Sequence, residues 1–279
     1  MVEAPFDGRV AVVTGAASGL GAGLAHEAAR LGMRLVLADV DEAGLQATAS
    51  SARARGAPVI VERCDVTRGE DLERLAASAV RHFGGTDLLF SNAGVTLERP
   101  LWAYTEKDWQ WVLGVNLWGV IHGVRAFVPR MLDRTGARVV NVASVAGLTP
   151  LTGLGAYNAS KHAVVALTET LHHDLLAQGA KLRCSVLCPG RIETAIEQAQ
   201  RHRPAALTDE GGPVPQQPHR FSPASSTAAM TPEQAAQITF EALRQGRFHI
   251  LTHPRVKRSV QMRTEHFLDD RDPRDPYSL

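Results

Sequence analysis

The fold is decided by Val10-Ala-Val-Val-Thr14-Gly15-Ala-Ala-Ser18-Gly19-Leu20-Gly21, an apolar run that breaks into a glycine loop. Val10–Thr14 shows no polar alternation, so it reads as a strand buried on both faces. Beyond the loop, Leu20, Leu24, Ala28 and Leu31 fall on one side of a helix. Strand, glycine turn and helix in this order form the context that a phosphate-binding loop requires. Gly15 permits the tight turn, Gly19 lets backbone approach a pyrophosphate, and Gly21 lets helix and strand pack closely. The helix N-terminus, with its unpaired amides, attracts the phosphates.

Working outward, Arg34–Asp39 is a second strand, ending in a carboxylate 18 residues after Gly21. An acid there can accept hydrogen bonds from both adenosine ribose hydroxyls and repels a 2′-phosphate. A third unit follows: Val59–Cys64, then Asp65-Val66, then an amphipathic helix through Phe83. The run Asp87–Phe90 leads into Ser91-Asn92-Ala93-Gly94, Arg138–Ala143 into Ser144, and Leu182–Cys188 into Pro189-Gly190. Strands alternating with helices imply a parallel sheet covered on both faces. Right-handed crossovers then gather every one of these strand ends on one side, where ligands bind.

A helix over 157–178 sets Tyr157 and Lys161 at i and i+4, on one face. A fixed ammonium favours the phenolate, which brings a phenol of pKa about 10 toward use as a general acid/base. Ser144, at the end of its strand, could hold a substrate oxygen beside that phenol. Tyr-x-x-x-Lys alone is common on helices; the dinucleotide loop upstream gives it meaning.

The 279 residues suit one domain with a full core, and a net charge of +1 leaves no electrostatic footprint for nucleic acid or an anionic membrane. No basic, apolar signal opens the chain, and no run is expected to approach a membrane span, so the cytoplasm is the expected compartment. The three cysteines, Cys64, Cys184 and Cys188, fall in predicted strands and read as buried thiols. Cys184 and Cys188 would stand roughly 13 Å apart, beyond disulfide reach. No metal-ligand spacing occurs. His172, His173 and His249 read as helix-surface and strand residues. Residues 195–230 are proline-broken and polar, and a stretch of that length inside a domain is usually functional or disordered. A helix resumes at Thr231-Pro232-Glu233-Gln234, which spells a capping box. Phe248–Thr252 reads as the last strand, and 269–279 as a flexible, charged tail.

Thr14-Gly-x-x-x-Gly-x-Gly21, Asn92-Ala-Gly94, Asn116, Ser144, Tyr157-x-x-x-Lys161 and Pro189-Gly190-x-x-x-Thr194 resemble, in order and spacing, the short-chain dehydrogenase/reductase family. Ser91 stands where many members carry a second Asn. The resemblance implies a single doubly wound, Rossmann-like α/β domain of strand order 3-2-1-4-5-6-7. It implies Tyr157 as proton donor and acceptor, Lys161 lowering its pKa and holding the nicotinamide ribose, and Ser144 orienting the carbonyl. Asn116 would hold a water linking Lys161 to solvent. Cofactor contacts would come from Gly15, Ser18, Gly19, Leu20, Gly21, Asp39, Asp65, Val66, Asn92, Ala93, Gly94, Pro189, Gly190, Ile192 and Thr194, with 195–230 as the substrate lid.

Members that accept a 2′-phosphate usually carry Arg or Lys where this chain has Ser18 and Val40, and Arg34 lies roughly 17 Å from Asp39 by strand rise. NAD is therefore the expected cofactor. Val95, Val145, Leu148, Leu151, Leu154 and Phe221 or Met230 would make an apolar pocket for a hydrophobic secondary alcohol or ketone, with Arg191 as one candidate clamp for an anion. Broad apolar coverage of the helices around Trp109–Ile121 and Tyr157–Leu176, including Trp111, Trp118, Val164 and Val165, suggests burial on two sides. In similar proteins these two helices form a four-helix interface, so the resemblance implies a homotetramer. Two rivals stand beside this reading: a catalytically silent nucleotide-binding regulator, and a Rossmann-type methyltransferase. The intact Ser, Tyr, Lys and Asn set argues against the first, and the second would have no need of Tyr157 and Lys161.

Overall fold

Seven short aliphatic runs pair side by side in a computed structural model that describes residues 6–209 and 229–274. The strands are β1 (Val10–Thr14), β2 (Arg34–Asp39), β3 (Val59–Arg63), β4 (Leu88–Ser91), β5 (Arg138–Val142), β6 (Arg183–Cys188) and β7 (His249–Leu251). All are parallel, in the order β3-β2-β1-β4-β5-β6-β7. The helices are α1 (Gly19–Arg30), α2 (Glu42–Ala54), α3 (Gly69–Phe83), α4 (Glu106–Leu113), α5 (Gly119–Met131), α6 (Gly155–Ala177), α7 (Pro232–Arg244) and α8 (Val256–Leu268).

Alternation along β1 divides the core in two. Ala11 and Val13 face one side, where Leu24 and Ala28 of α1 and Phe240 and Leu243 of α7 pack on them. Val10 and Val12 face the other, against Leu72 and Leu75 of α3 and Phe127 and Met131 of α5. Chain order reverses between β1 and β4, which opens a crevice at their C-terminal ends. The capping box at Thr231 is formed, with the hydroxyl accepting from Gln234 N at 3.2 Å and the Gln234 amide oxygen from Thr231 N at 3.1 Å.

Four expectations change. The first part of the proline-broken stretch is ordered as 3-10 turns at Ala195–His202 and Ala205–Leu207, the first capped by the Thr194 hydroxyl. No proline occurs before Pro204, so the local sequence permits the turn; residues 210–228, Phe221 among them, lie outside the described residues. Helix α8 is unannounced in the sequence because it lacks a capping residue and buries only Val256. The described chain runs on past it to Arg274, and 275–279 of the expected tail lie outside. Cys64 sits one residue beyond β3.

The fourth concerns the segment from Glu106 to Met131. Joined through a π-helical turn at Gly114–Trp118, α4 and α5 form one continuous helical run, long and apolar enough by composition to cross a membrane. Here it packs against α3 and α6 as a core helix. Trp111, Val164 and Val165 are buried within the chain, which leaves the expectation of assembly on Trp118, 50% exposed.

A buried ion cluster ties the start of the 195–230 stretch, the insert between β6 and α7, to α4. Asp108 is fully buried and accepts from Arg99 Nη1 at 3.0 Å and Arg203 Nη1 at 2.7 Å. The Arg203 guanidinium lies over Trp111, 5.2 Å from its centroid. Lys107 donates to the Thr208 carbonyl at 3.0 Å, and Thr105 to Asp209 at 2.9 Å. Asp108→Ala strands two buried guanidiniums without a counter-charge and is expected to cost about 3–5 kcal/mol of unfolding free energy. Urea denaturation checks this; a midpoint that does not move would mean the cluster is relieved by water.

Candidate active site

The glycine loop is held by contacts that leave no room for side chains. Gly15 turns at φ +68°, and a Cβ there would stand 2.7 Å from the Cα of Ala93. A Cβ on Gly21 would overlap the Gly15 carbonyl oxygen. Across the crevice, Asn92 Nδ2 donates to the carbonyls of Thr14 (2.9 Å) and Gly15 (3.1 Å). Thr14 Oγ1 accepts from Asn92 N and Ala93 N and donates to the Phe90 carbonyl. Asn92 and Thr14 thus clamp the ends of β1 and β4 together. The first turn of α1 carries no acidic side chain, and Ser18 at its N-cap makes no side-chain capping bond. Its leading amides are therefore available to an anion.

Around this loop lies a cavity of about 1450 Å³, larger than the ~300–1,000 Å³ of a drug-sized ligand site. Every residue that the sequence assigns to the dinucleotide lies on its wall. The cradle that a Cβ would fill, the open helix end and the cavity's size all fit a dinucleotide.

Asp39 closes one end of this wall. Its carboxylate accepts from Ala17 N at 2.9 Å and Asp41 N at 3.0 Å, which fixes its orientation. Asp65 is held in a local turn, accepting from the Thr67 amide and hydroxyl. The sequence reading missed Arg63. It stands opposite Asp39 in the β2–β3 register, lines the cavity, and reaches Glu42 at 3.4 Å. Pairing register across parallel strands, which sequence spacing does not reveal, brings it there.

The polar groups near the start of α6 converge with Ser144. Its hydroxyl accepts from Ala146 N at 3.1 Å and reaches the Tyr157 phenol. Lys161 is buried, donates from Nζ to the Val142 carbonyl at 2.9 Å, and lies 5.6 Å from the centroid of the Tyr157 ring. Burial raises the Tyr157 phenol above its ordinary value, with the Ser144 hydrogen bond opposing, and pushes Lys161 down to about 8. The expected lowering of the phenol by Lys161 is therefore not what governs the site as it stands. Both groups are desolvated, and the ammonium is committed to a main-chain carbonyl.

Asn116 departs from expectation in another way. It lies on the π-helical turn, a type of distortion frequent at functional sites, but its side chain is off the cavity wall. Its amide is spent on Val95 N and O and on Ser160 Oγ. Ser160 in turn donates to the Tyr157 carbonyl at 2.7 Å. The side chain thus braces α6 against the loop after β4 that carries Val95, and leaves only main-chain atoms for any water.

Val95, Val145, Leu151 and Leu154 line the substrate end, and so does Arg191. Leu148 turns away into a cluster with Val164 and Val165. Met230 pairs with Ile192 in a parallel bridge that joins the two ends of the insert. Trp111, Val115, Leu207 and Met262 complete the wall, and none was legible beforehand because three helices and the insert meet only in the fold.

The family model for short chain dehydrogenases matches residues 9–205, and the chain belongs to that family. It is 33% identical over 274 residues to the CLA biosynthesis dehydrogenase/reductase of Lactiplantibacillus plantarum, covering 96% of each chain. It is 38% identical to the 1-deoxy-11-beta-hydroxypentalenate dehydrogenase of Streptomyces exfoliatus over 88% of this chain and 83% of that one. Among solved structures, a short chain dehydrogenase/reductase from Burkholderia phymatum in complex with NAD superposes with a TM-score of 0.91 at 47% identity, covering 99% of this chain and 100% of that one. The chain is thus an oxidoreductase of this family.

The depressed Lys161 fixes a pH signature. Folded, the group binds fewer protons than the unfolded chain between about 8 and the ordinary 10.5. Its burial penalty is therefore full below pH 8 and fades as pH rises toward 10.5. Lys161→Met removes that penalty, so wild type should gain stability relative to the variant across this window. Urea unfolding of both proteins at a series of pH values measures it; a difference that stays flat would show that Lys161 keeps its ordinary affinity for protons.

Proposed function

We propose that the chain is an NAD-dependent dehydrogenase/reductase of apolar secondary alcohols and ketones, with Tyr157 as general acid/base. The convergence of Ser144, Tyr157 and Lys161 on the cavity that the glycine loop also lines carries this reading. When bound, the nicotinamide supplies or accepts the hydride. Gly15, Ser18, Gly19 and the α1 N-terminus would hold the pyrophosphate, Asp39 the adenosine ribose, and Asp65 and Val66 the adenine. Ile192 and Thr194, the latter close over Gly19, would border the nicotinamide.

At the reacting carbon, the Ser144 hydroxyl donates to the substrate oxygen and orients it toward the phenol. Tyr157 gives a proton to that oxygen in reduction and removes it in oxidation. A charged Lys161 stabilises the phenolate left behind, and the low-dielectric surroundings that resist both charges singly strengthen their attraction as a pair. Apolar walls at Val95, Val145, Leu151 and Leu154 exclude water from the carbon and suit a hydrophobic substrate.

Cofactor choice follows from Asp39. A 2′-phosphate would meet its carboxylate, a like-charge contact that costs several kcal/mol. Arg63, the basic group within the same wall, has its charge offset by Glu42. The relative from Burkholderia phymatum, crystallised with NAD, supports the same choice.

Replacing Tyr157 by Phe is expected to lower kcat by about 10²–10⁴ while NAD still binds. Steady-state kinetics and cofactor titration check it, and retention of most of the wild-type rate would remove Tyr157 from proton transfer. For the cofactor, kcat/KM with NAD is expected to exceed that with NADP, and Asp39→Ala to move the ratio toward NADP. A wild type that favours NADP, or a ratio unmoved in the variant, would overturn the assignment.

A further inference from the structure

The two ends of the cavity differ in charge. Around the expected adenosine end the wall carries Asp39, Asp41 and Asp65 against Arg63. At the substrate end it carries Arg191, Arg201, Arg255 and Arg258, and Glu197 is the one acid there among the described residues. Arg201 bends back on carbonyls of its own turn, donating to Ala195 and Gln198. The guanidiniums of Arg191, Arg255 and Arg258 have no hydrogen-bond or ion-pair partner among the described residues. Nor does the sequence of 210–228 balance them, since it contains one acid, Glu210, and one arginine, Arg220.

These arginines are placed by the fold. Arg255, at the N-cap of α8, and Arg258, Ser259 and Met262 within it follow i, i+3, i+4, i+7 spacing, and all four line the cavity. The helix is anchored beside the reacting groups by buried Val256 and by Arg263, whose Nη1 donates to the Leu148 carbonyl at 3.1 Å in the loop after Ser144. Arg191 follows Gly190, and Gly190 N donates to Thr252 Oγ1 at 3.1 Å, next to buried His253 on the same wall. The same wall carries Leu151, Leu154, Val145 and Met262, which are apolar, together with Tyr157. A cavity that combines apolar walls with guanidiniums lacking a partner among the described residues suits an amphipathic ligand with a negative group set apart from the reacting carbon.

We propose that Arg191, Arg255 and Arg258 form an anion subsite for the carboxylate of an apolar hydroxy or oxo acid whose carbinol or carbonyl carbon is presented to Tyr157. This rests on the redox reading given above and narrows it from apolar alcohols to apolar alcohols that carry a remote carboxylate. The carboxylate is ionised at neutral pH, and guanidinium forks meet its two oxygens in a geometry that a neutral ester cannot reproduce.

Binding tests the subsite apart from turnover. Decanoate, methyl decanoate and the decanoyl thioester of coenzyme A are titrated calorimetrically into the NAD-loaded protein. Decanoate is expected to bind at least about tenfold more tightly than its methyl ester, as befits charge-assisted hydrogen bonds. The triple variant Arg191→Ala/Arg255→Ala/Arg258→Ala is expected to abolish that preference and leave the ester's affinity where it was. The charge reversal Arg258→Glu, at an exposed position, is expected to weaken decanoate alone, and circular dichroism confirms that each variant folds.

Equal binding of acid and ester, no binding of decanoate, or a preference that survives in the triple variant would overturn the proposal. So would a thioester that binds well while decanoate binds no better than its ester. A protein that oxidises no alcohol yet shows the arginine-dependent preference keeps the subsite and loses the redox reading instead.

Discussion

The closeness of β1 to β4 at their C-terminal ends is the constraint from which the site follows. Asn92 and Thr14 exchange hydrogen bonds across that gap, and Gly15 and Gly21 allow the backbone to fold there without a Cβ in the way. Because the order of strands reverses at this point, the helices after β1 and β4 leave in opposite directions, and a crevice opens between them. Were the clamp looser, α1 would lose its approach to the strand, and its amides would no longer face the cavity. A packing requirement and a binding surface are here one set of contacts.

Tyr157 and Lys161 depend on a second kind of constraint, the exclusion of water. Lys161 is held by the Val142 carbonyl in a place that disfavours its charge, and Tyr157 resists ionisation for the same reason. Neither cost is met within the pair alone. Asn116 and Ser160 stiffen the start of α6 through a chain of hydrogen bonds that ends on the Tyr157 carbonyl. A site of this kind is arranged before its ligands arrive, which is where electrostatic catalysis draws its advantage.

Much of this was legible in the sequence, and for identifiable reasons. Strands β1 and β2 have the bounds predicted, because continuous apolar runs flanked by glycine and by charge leave few alternatives. Gly15, Gly19, Gly21, Ser144, Tyr157 and Lys161 gather where their motifs place them, since each motif sits at the end of an element. What escaped depends on contacts between elements distant in sequence. Arg63 reaches the wall through strand register; α8 offers little amphipathic pattern to detect; the Asp108 cluster joins three segments that no local rule connects. The direction of the Tyr157 shift was missed because helical spacing conveys proximity but not burial.

The parallel bridge between Ile192 and Met230 has a consequence for how such an enzyme diversifies. It brings both ends of the insert together at the rim of the sheet, so the chain between them is a loop already closed. For a flexible closed loop, doubling the number of residues adds only about 0.6 kcal/mol of closure entropy. Insertions and deletions beyond the bridge can therefore reshape the cavity wall at small cost, while β6, α7 and the cluster of Ser144, Tyr157 and Lys161 stay in register. Changes of substrate would then accumulate in one stretch of chain, leaving the chemistry unaltered behind it.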